Sequence, residues 1–217
     1  MTMNLLRINE DVHPIYWVDK FLTDEEIDII LKYSIKIPAI NAEVGGKLRQ
    51  ENKKPFTIDY HIKNINIGNV PRVRQSEIKW IELNPDTNWL YKKIISQIHA
   101  VNQENFDYIL KFVEDLQFTE YNENKRGFYA KHCDDGGKSQ LNNSVDIRKL
   151  SFSIQLSSPS DYTGGELTLY MDDEEIVASK EKGTIIFFQS NILHEVKPVT
   201  KGTRRAIVSW VNGPNLR

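Results

Sequence analysis

Leu150-Ser151-Phe152-Ser153-Ile154-Gln155-Leu156 alternates strictly between apolar and polar side chains. A period of two puts Leu150, Phe152, Ile154 and Leu156 on one face of a strand, with Ser151, Ser153 and Gln155 on the other. Short segments of the same kind surround it. Thr163-Gly164-Gly165 reads as a turn before a strand over 166–170, and Lys182-Gly183 as a turn before an apolar strand over 184–188. A last strand is expected over 204–211, closing at Asn212-Gly213-Pro214. Strands this short and this regularly spaced point to a sandwich, a barrel or a jelly roll.

The first half of the chain reads differently. Thr23-Asp24-Glu25-Glu26 has the form of a capping box, and Ile27, Ile30 and Leu31 follow at helical spacing, which predicts a helix over 24–34. Asn84-Pro85 offers a cap and a first helical position, and Leu90, Ile94, Ile95, Ile98 and Val101 form one apolar face after it. Between the two lies a net basic segment over 37–79. It reads either as a solvated loop or as an arm favouring an anionic partner, and the residues leave both open. The expected class is α+β. Residues 1–115 form a helical support with an irregular segment, part of the same domain as a β core over 116–217. No internal repeat or linker divides them.

Composition narrows the function. The 217 residues carry 28 basic and 30 acidic side chains, a formal net charge of −2. That balance argues against a basic nucleic-acid binder and against a disordered acidic chain. No apolar run reaches the roughly 18 residues of a membrane span, and residues 1–17 lack the apolar centre of a secretory leader. The single cysteine, Cys133, allows no internal disulfide. A cytoplasmic protein without membrane partners is expected.

Of the five histidines, His13, His61 and His99 have no acidic or thiol neighbour at ligand spacing. His132 and Asp134 do: at i and i+2 on a strand they project to one face, with Cys133 pointing away. His194, just past the strand over 184–188, is placed to bring a second imidazole to the same ion. Two histidines and a carboxylate on one side of a metal leave the other side open, as in non-haem Fe(II) oxygenases. Ten residues later come Arg204 and Arg205. Alternation sends one of them inward, where a guanidinium fork suits a carboxylate. Periodicity does not choose between them.

Five segments carry a resemblance to a known family. They are 116–134, 148–156, Tyr162-Thr-Gly-Gly-Glu-Leu167, Gly183-Thr-Ile-Ile-Phe-Phe188 and the run from His194 to Arg204. In this order they resemble the catalytic core of the prolyl 4-hydroxylase-like 2-oxoglutarate/Fe(II) dioxygenases. Trp80-Ile81 and 102–107 also look like the PKHD-type hydroxylase branch. The resemblance implies a double-stranded β-helix, or jelly roll, with helices on its outer sheet. It matches His132, Asp134 and His194 to the iron ligands, Arg204 to the partner of the distal carboxylate of 2-oxoglutarate, and Tyr121 to a tyrosine that bonds that cosubstrate. Gln155 stands near the position where some relatives have a tyrosine contacting the cosubstrate.

The implied reaction hydroxylates a C–H bond, foremost of a peptidyl proline, while 2-oxoglutarate is decarboxylated to succinate. Its requirements are Fe(II), 2-oxoglutarate and O2, with ascorbate as a reductant. A protein or peptide substrate is the leading partner. A free amino acid, another peptidyl residue or a small metabolite stays open, because fold and ligand set do not fix the substrate. The polar loop over 135–149 and the segment over 37–79 are candidates for a substrate groove. Two other classes compete: a non-catalytic metal-binding jelly roll, which need not keep Arg204, and a zinc hydrolase, in which Arg204 has no role.

Overall fold

The computed structural model describes residues 13–42, 73–135, 146–171 and 173–215. In chain order these hold β1 (Ile15–Val18), α1 (Asp24–Ile35), β2 (Ile40–Ala42), β3 (Arg74–Ile81), α2 (Asn88–Val101), β4 (Phe112–Val113), β5 (Leu116–Asn122), β6 (Phe128–His132) and β7 (Asp146–Gln155). There follow β8 (Tyr162–Gly164), β9 (Leu167–Met171), β10 (Glu174–Val177), β11 (Ile185–Gln189), β12 (Leu193–Val196) and β13 (Val199–Pro214).

All pairings are antiparallel, and the strands form one curled sheet in the order β1-β11-β7-β13-β5-β3-β6-β12-β9-β10. The curl turns at β3. Its C-terminal part, Glu77 to Ile81, pairs with β5 in the larger half, and its first residues, Arg74 and Gln75, pair with β6 in the smaller half. The result is the jelly-roll class expected from the alternating segments, with α1 and α2 on the outer face of the larger half.

The alternation of β7 separates the two sides of that half. Leu150, Phe152, Ile154 and Leu156 join Ile185, Phe187, Ile207 and Val211 in one apolar cluster with Ile27 and Ile30 of α1 and Leu90, Ile94 and Ile98 of α2. Ser151, Ser153 and Gln155 face the interior of the curl and are buried there. On β11 both faces are apolar: Ile185 and Phe187 meet the helices, while Ile186 and Phe188 enter a second cluster inside the curl with Tyr121, Tyr162 and Leu169. A strand covered on both sides loses its alternation of polarity.

The capping box forms. Thr23 Oγ1 accepts from the Glu26 N–H at 3.2 Å and a Glu26 carboxylate oxygen accepts from the Thr23 N–H at 2.9 Å, and α1 ends one residue beyond the expected 34. The second helix starts later than Asn84-Pro85 suggests. Asn84 Oδ1 accepts from the Asp86 N–H at 2.9 Å, and its carbonyl accepts from the Thr87 and Asn88 N–H groups. Asn84 therefore closes a turn, and α2 begins at Asn88.

Three other boundaries shift for one reason, strand pairing across the sheet. The last strand begins at Val199, because Val199, Lys201 and Gly202 pair with β8. Thr163 and Gly164, expected in a turn, lie in β8. β7 begins at Asp146 through its pairing with Pro214. In the segment over 37–79, Ile40–Ala42 and Arg74–Ile81 are paired strands, while 43–72 lies outside the described residues, as does 136–145 of the expected substrate loop.

Phe187 is fully buried, with its ring 5.8 Å from that of Phe152 between sheet and helices. Phe187→Ala is expected to lower unfolding stability by about 3–5 kcal/mol, read by denaturant titration. Metal binding at the opposite face should persist in the folded fraction.

Candidate metal centre

The pairing of β6 with β12 sets His132 directly opposite His194. Between this pair and Tyr129↔Val196 the register slips, so that three steps on β6 face two on β12. This β-bulge turns Tyr129 to the same face as His132, where the two rings stack at 3.6 Å. Asp134 lies beyond the end of β6. Its N–H and that of Asp135 donate to the Ser190 carbonyl at 2.8 and 3.0 Å, which holds the carboxylate against the two imidazoles. The shared face expected from the i, i+2 spacing is thus obtained by loop bonds to Ser190 rather than by strand alternation. Cys133 between them is exposed.

Ligand atoms of His132, Asp134 and His194 all lie within 4.8 Å of one another. His132 Nε2 is 3.5 Å from Asp134 Oδ1, and His194 Nε2 is 3.4 Å from Oδ2. Each Nδ1 sits within hydrogen-bond distance of the carbonyl two residues earlier, Ala130 at 2.8 Å and Ile192 at 2.9 Å. A carbonyl only accepts, so each Nδ1 carries the proton and each Nε2 turns a lone pair toward the carboxylate. Ser151 Oγ donates to Asp134 Oδ2 at 2.8 Å and lies 2.9 Å from Ser190 Oγ. Three acceptors facing one another need a cation between them, and this donor set fits a divalent metal.

Charge states agree. Burial pushes the His194 imidazole below its ordinary value, against the pull of Asp134. Burial opposes ionisation of Asp134, but positive charge beside it, on the imidazoles of His194 and His132 when they are protonated and on Arg148, outweighs that and holds its carboxyl well below the usual range, as a cation between the three side chains would. Burial also pushes the Tyr129 phenol up to about 12, so it stays protonated. His13 and His99 are exposed and far from such a cluster, while His61 lies outside the described residues.

The structure resolves the choice between the arginines. Arg205 points outward, its Nε 2.8 Å from Glu120 Oε1. Arg204 is 4% exposed, opposite Tyr121 in the β5–β13 pairing, with its guanidinium carbon 5.6 Å from the Tyr121 ring centre. It also lies beside the Tyr162 phenol, which accepts a bond from Gln155 Nε2 at 3.0 Å. A Cβ on Gly165 would stand 3.3 Å from Arg204 Cδ and 3.2 Å from Tyr162 Cε2, and φ is +65° there, so glycine is required beside this cluster. Among the described residues Arg204 has no carboxylate partner. The inner face of β7 joins both ends of the cavity, with Ser151 at the histidines and Gln155 at the Arg204 cluster, about 13 Å apart along the strand.

Residues 116–212 match the family described as the 2OG-Fe(II) oxygenase superfamily. The family and the His-Asp-His set together imply Fe(II) and 2-oxoglutarate. A PKHD-type hydroxylase of Gloeothece citriformis is 36% identical over 83 residues, which cover 38% of this chain and 36% of that protein. One of Picosynechococcus is 38% identical over 101 residues, or 46% and 43% of the two chains. The matched segments thus span less than half the length of these relatives. Among solved structures, a Pseudomonas putida prolyl-4-hydroxylase superposes with a TM-score of 0.61 at 17% identity over 92% of both chains. A viral collagen prolyl hydroxylase of Paramecium Bursaria Chlorella virus-1 gives 0.64 at 21% identity, over 94% of this chain and 98% of that one. At such identities the likeness is one of fold.

Ser190, which acts through its carbonyl, Tyr129 and Tyr162 carry no legible signal in the sequence, because each reaches the cavity through register or a bulge. Two outcomes are expected for anaerobic Mn(II) titration of the protein. Ser151→Ala should weaken binding about tenfold and His194→Ala abolish it, while Ser153→Ala on the same strand face leaves it unchanged. Affinity should be level above about pH 7 and fall as the pH drops through the lowered His194 value, since a protonated imidazole is no ligand.

Proposed function

We propose that this chain is a 2-oxoglutarate- and Fe(II)-dependent hydroxylase whose substrate is a peptidyl proline. The observation that carries the reading is the pairing of two buried features in one cavity. One is a set of acceptors converging on a single point, and the other is an arginine without a carboxylate partner among the described residues. Fe(II), 2-oxoglutarate and O2 supply the oxidation of an unactivated C–H bond, with succinate and CO2 released.

His132, Asp134 and His194 would hold the metal, and with two neutral imidazoles and one carboxylate as ligands a divalent ion there would keep a net positive charge suited to an anionic cosubstrate. Arg204 pairs with the distal carboxylate, and Tyr121 opposite it and the Gln155–Tyr162 pair hold that end in place. Buried in a dry pocket, the guanidinium rejects a cosubstrate that lacks the second carboxylate.

Several relatives of the same fold are named for prolyl hydroxylation, including a Trichoplax adhaerens enzyme whose structure holds a peptide fragment of hypoxia inducible factor. These names support a prolyl substrate here. The intact ligand set with Arg204 favours an enzyme over a metal-binding module.

Succinate formation from 2-oxoglutarate by the Fe(II)-loaded chain tests the reading. Activity should be lost in His132→Ala. Arg204→Ala should raise the KM for 2-oxoglutarate roughly 100-fold with metal affinity unchanged. No 2-oxoglutarate binding by the metal-loaded native chain would overturn it in favour of the module.

A further inference from the structure

A second buried arginine lies close to the metal ligands. Arg74 begins β3, directly opposite Tyr129 in the β3–β6 pairing. Paired residues project to the same face, and the bulge turns that face into the cavity. The Arg74 guanidinium carbon sits 4.6 Å from the Tyr129 ring centre, and the Tyr129 ring stacks on His132 at 3.6 Å. Tyr129 is therefore sandwiched between a cation and a candidate metal ligand.

Arg74 is only 9% exposed. Its Nε donates to Ser76 Oγ at 2.8 Å, and among the described residues its terminal nitrogens meet no carboxylate. Other arginines around the sheet are matched: Arg148 makes a two-pronged bond to Glu114 at 2.7 and 2.6 Å, and Arg205 pairs with Glu120. Among the described residues, a guanidinium buried against one hydroxyl and one ring face has most of its hydrogen-bonding capacity unused and its charge without a carboxylate partner. The cavity thus holds two such cations among the described residues, Arg204 beside Tyr121 and Arg74 beside Tyr129. The distal carboxylate of the cosubstrate accounts for the first.

We propose that Arg74 receives a carboxylate of the prime substrate, so that the enzyme selects an acidic substrate and places it over Tyr129 next to the metal. This rests on the oxygenase reading above. The carboxylate comes either from the hydroxylated residue itself, as a free terminus, or from an acidic side chain beside it. A planar fork over an aromatic face fixes the orientation of either one.

The test uses the full chain loaded anaerobically with Mn(II) and saturated with 2-oxoglutarate, so that Arg204 is already occupied. Two matched probe pairs are titrated: N-acetyl-L-proline against its amide, and N-acetyl-prolyl-glutamate amide against the glutamine counterpart. Binding is read from paramagnetic broadening of the probe resonances. At least one acid should bind roughly tenfold more tightly than its neutral isostere, and the pair that shows it identifies the source of the carboxylate. The advantage should vanish in Arg74→Gln and survive in part in Arg74→Lys, with Mn(II) and 2-oxoglutarate affinities unchanged. Acids that bind no better than their isosteres overturn the proposal even without a folded variant. So does an advantage that survives Arg74→Gln, or an Arg74→Gln variant that weakens 2-oxoglutarate instead. These results leave the oxygenase reading standing, whereas failure of the native chain to bind 2-oxoglutarate would remove both.

Discussion

Three lone-pair donors held face to face are the constraint on which the rest of the cavity depends. His132 and His194 each spend their Nδ1 proton on a backbone carbonyl, and Asp134 is drawn in by Ser190 and Ser151. Without a cation this arrangement is repulsive, so the surrounding structure must hold it. It does so with backbone: strand pairing fixes the two imidazoles opposite each other, and two N–H groups fix the carboxylate. A site built in this way is organised before metal arrives, and the cost of organising it falls on the fold.

The fold bears that cost through β7 and its neighbours. One face of β7 is sealed under α1 and α2 by fully buried Leu150, Phe152 and Ile154. The other face presents Ser151 to Asp134 and Gln155 to Tyr162. Since a strand cannot rotate without moving both faces together, packing against the helices determines where the polar residues stand in the cavity. Among the described residues the helices bring no side chain to the His132–Asp134–His194 cluster, yet they hold the strand that aligns the two ends of the cavity.

Charge is distributed to match. Arg148 and Arg205 are paired with Glu114 and Glu120, while Arg204 and Arg74 have no carboxylate partner among the described residues. An interior that withholds counter-ions from two buried cations is suited to anionic small molecules and acidic groups, and excludes neutral ones by the desolvation they cannot repay.

Much of this was legible in the residues. The alternation over 150–156 showed two faces, the Thr23–Glu26 box marked α1, and the His-x-Asp, His and Arg spacing marked the centre, because period-two order and side-chain chemistry are local properties. Position 204 against 205 was not legible from alternation, since period two separates the faces without saying which is inside; pairing with Tyr121 and burial settled it. Nor were Tyr129, Tyr162, Arg74 and the Ser190 carbonyl, whose places follow from a bulge in β6, the β8 pairing, the turn of the sheet at β3 and a loop bond. Local order is written in neighbouring residues, whereas the meeting of side chains as far apart in the chain as Tyr121 and Arg204 is set by register, and register is a property of the folded sheet.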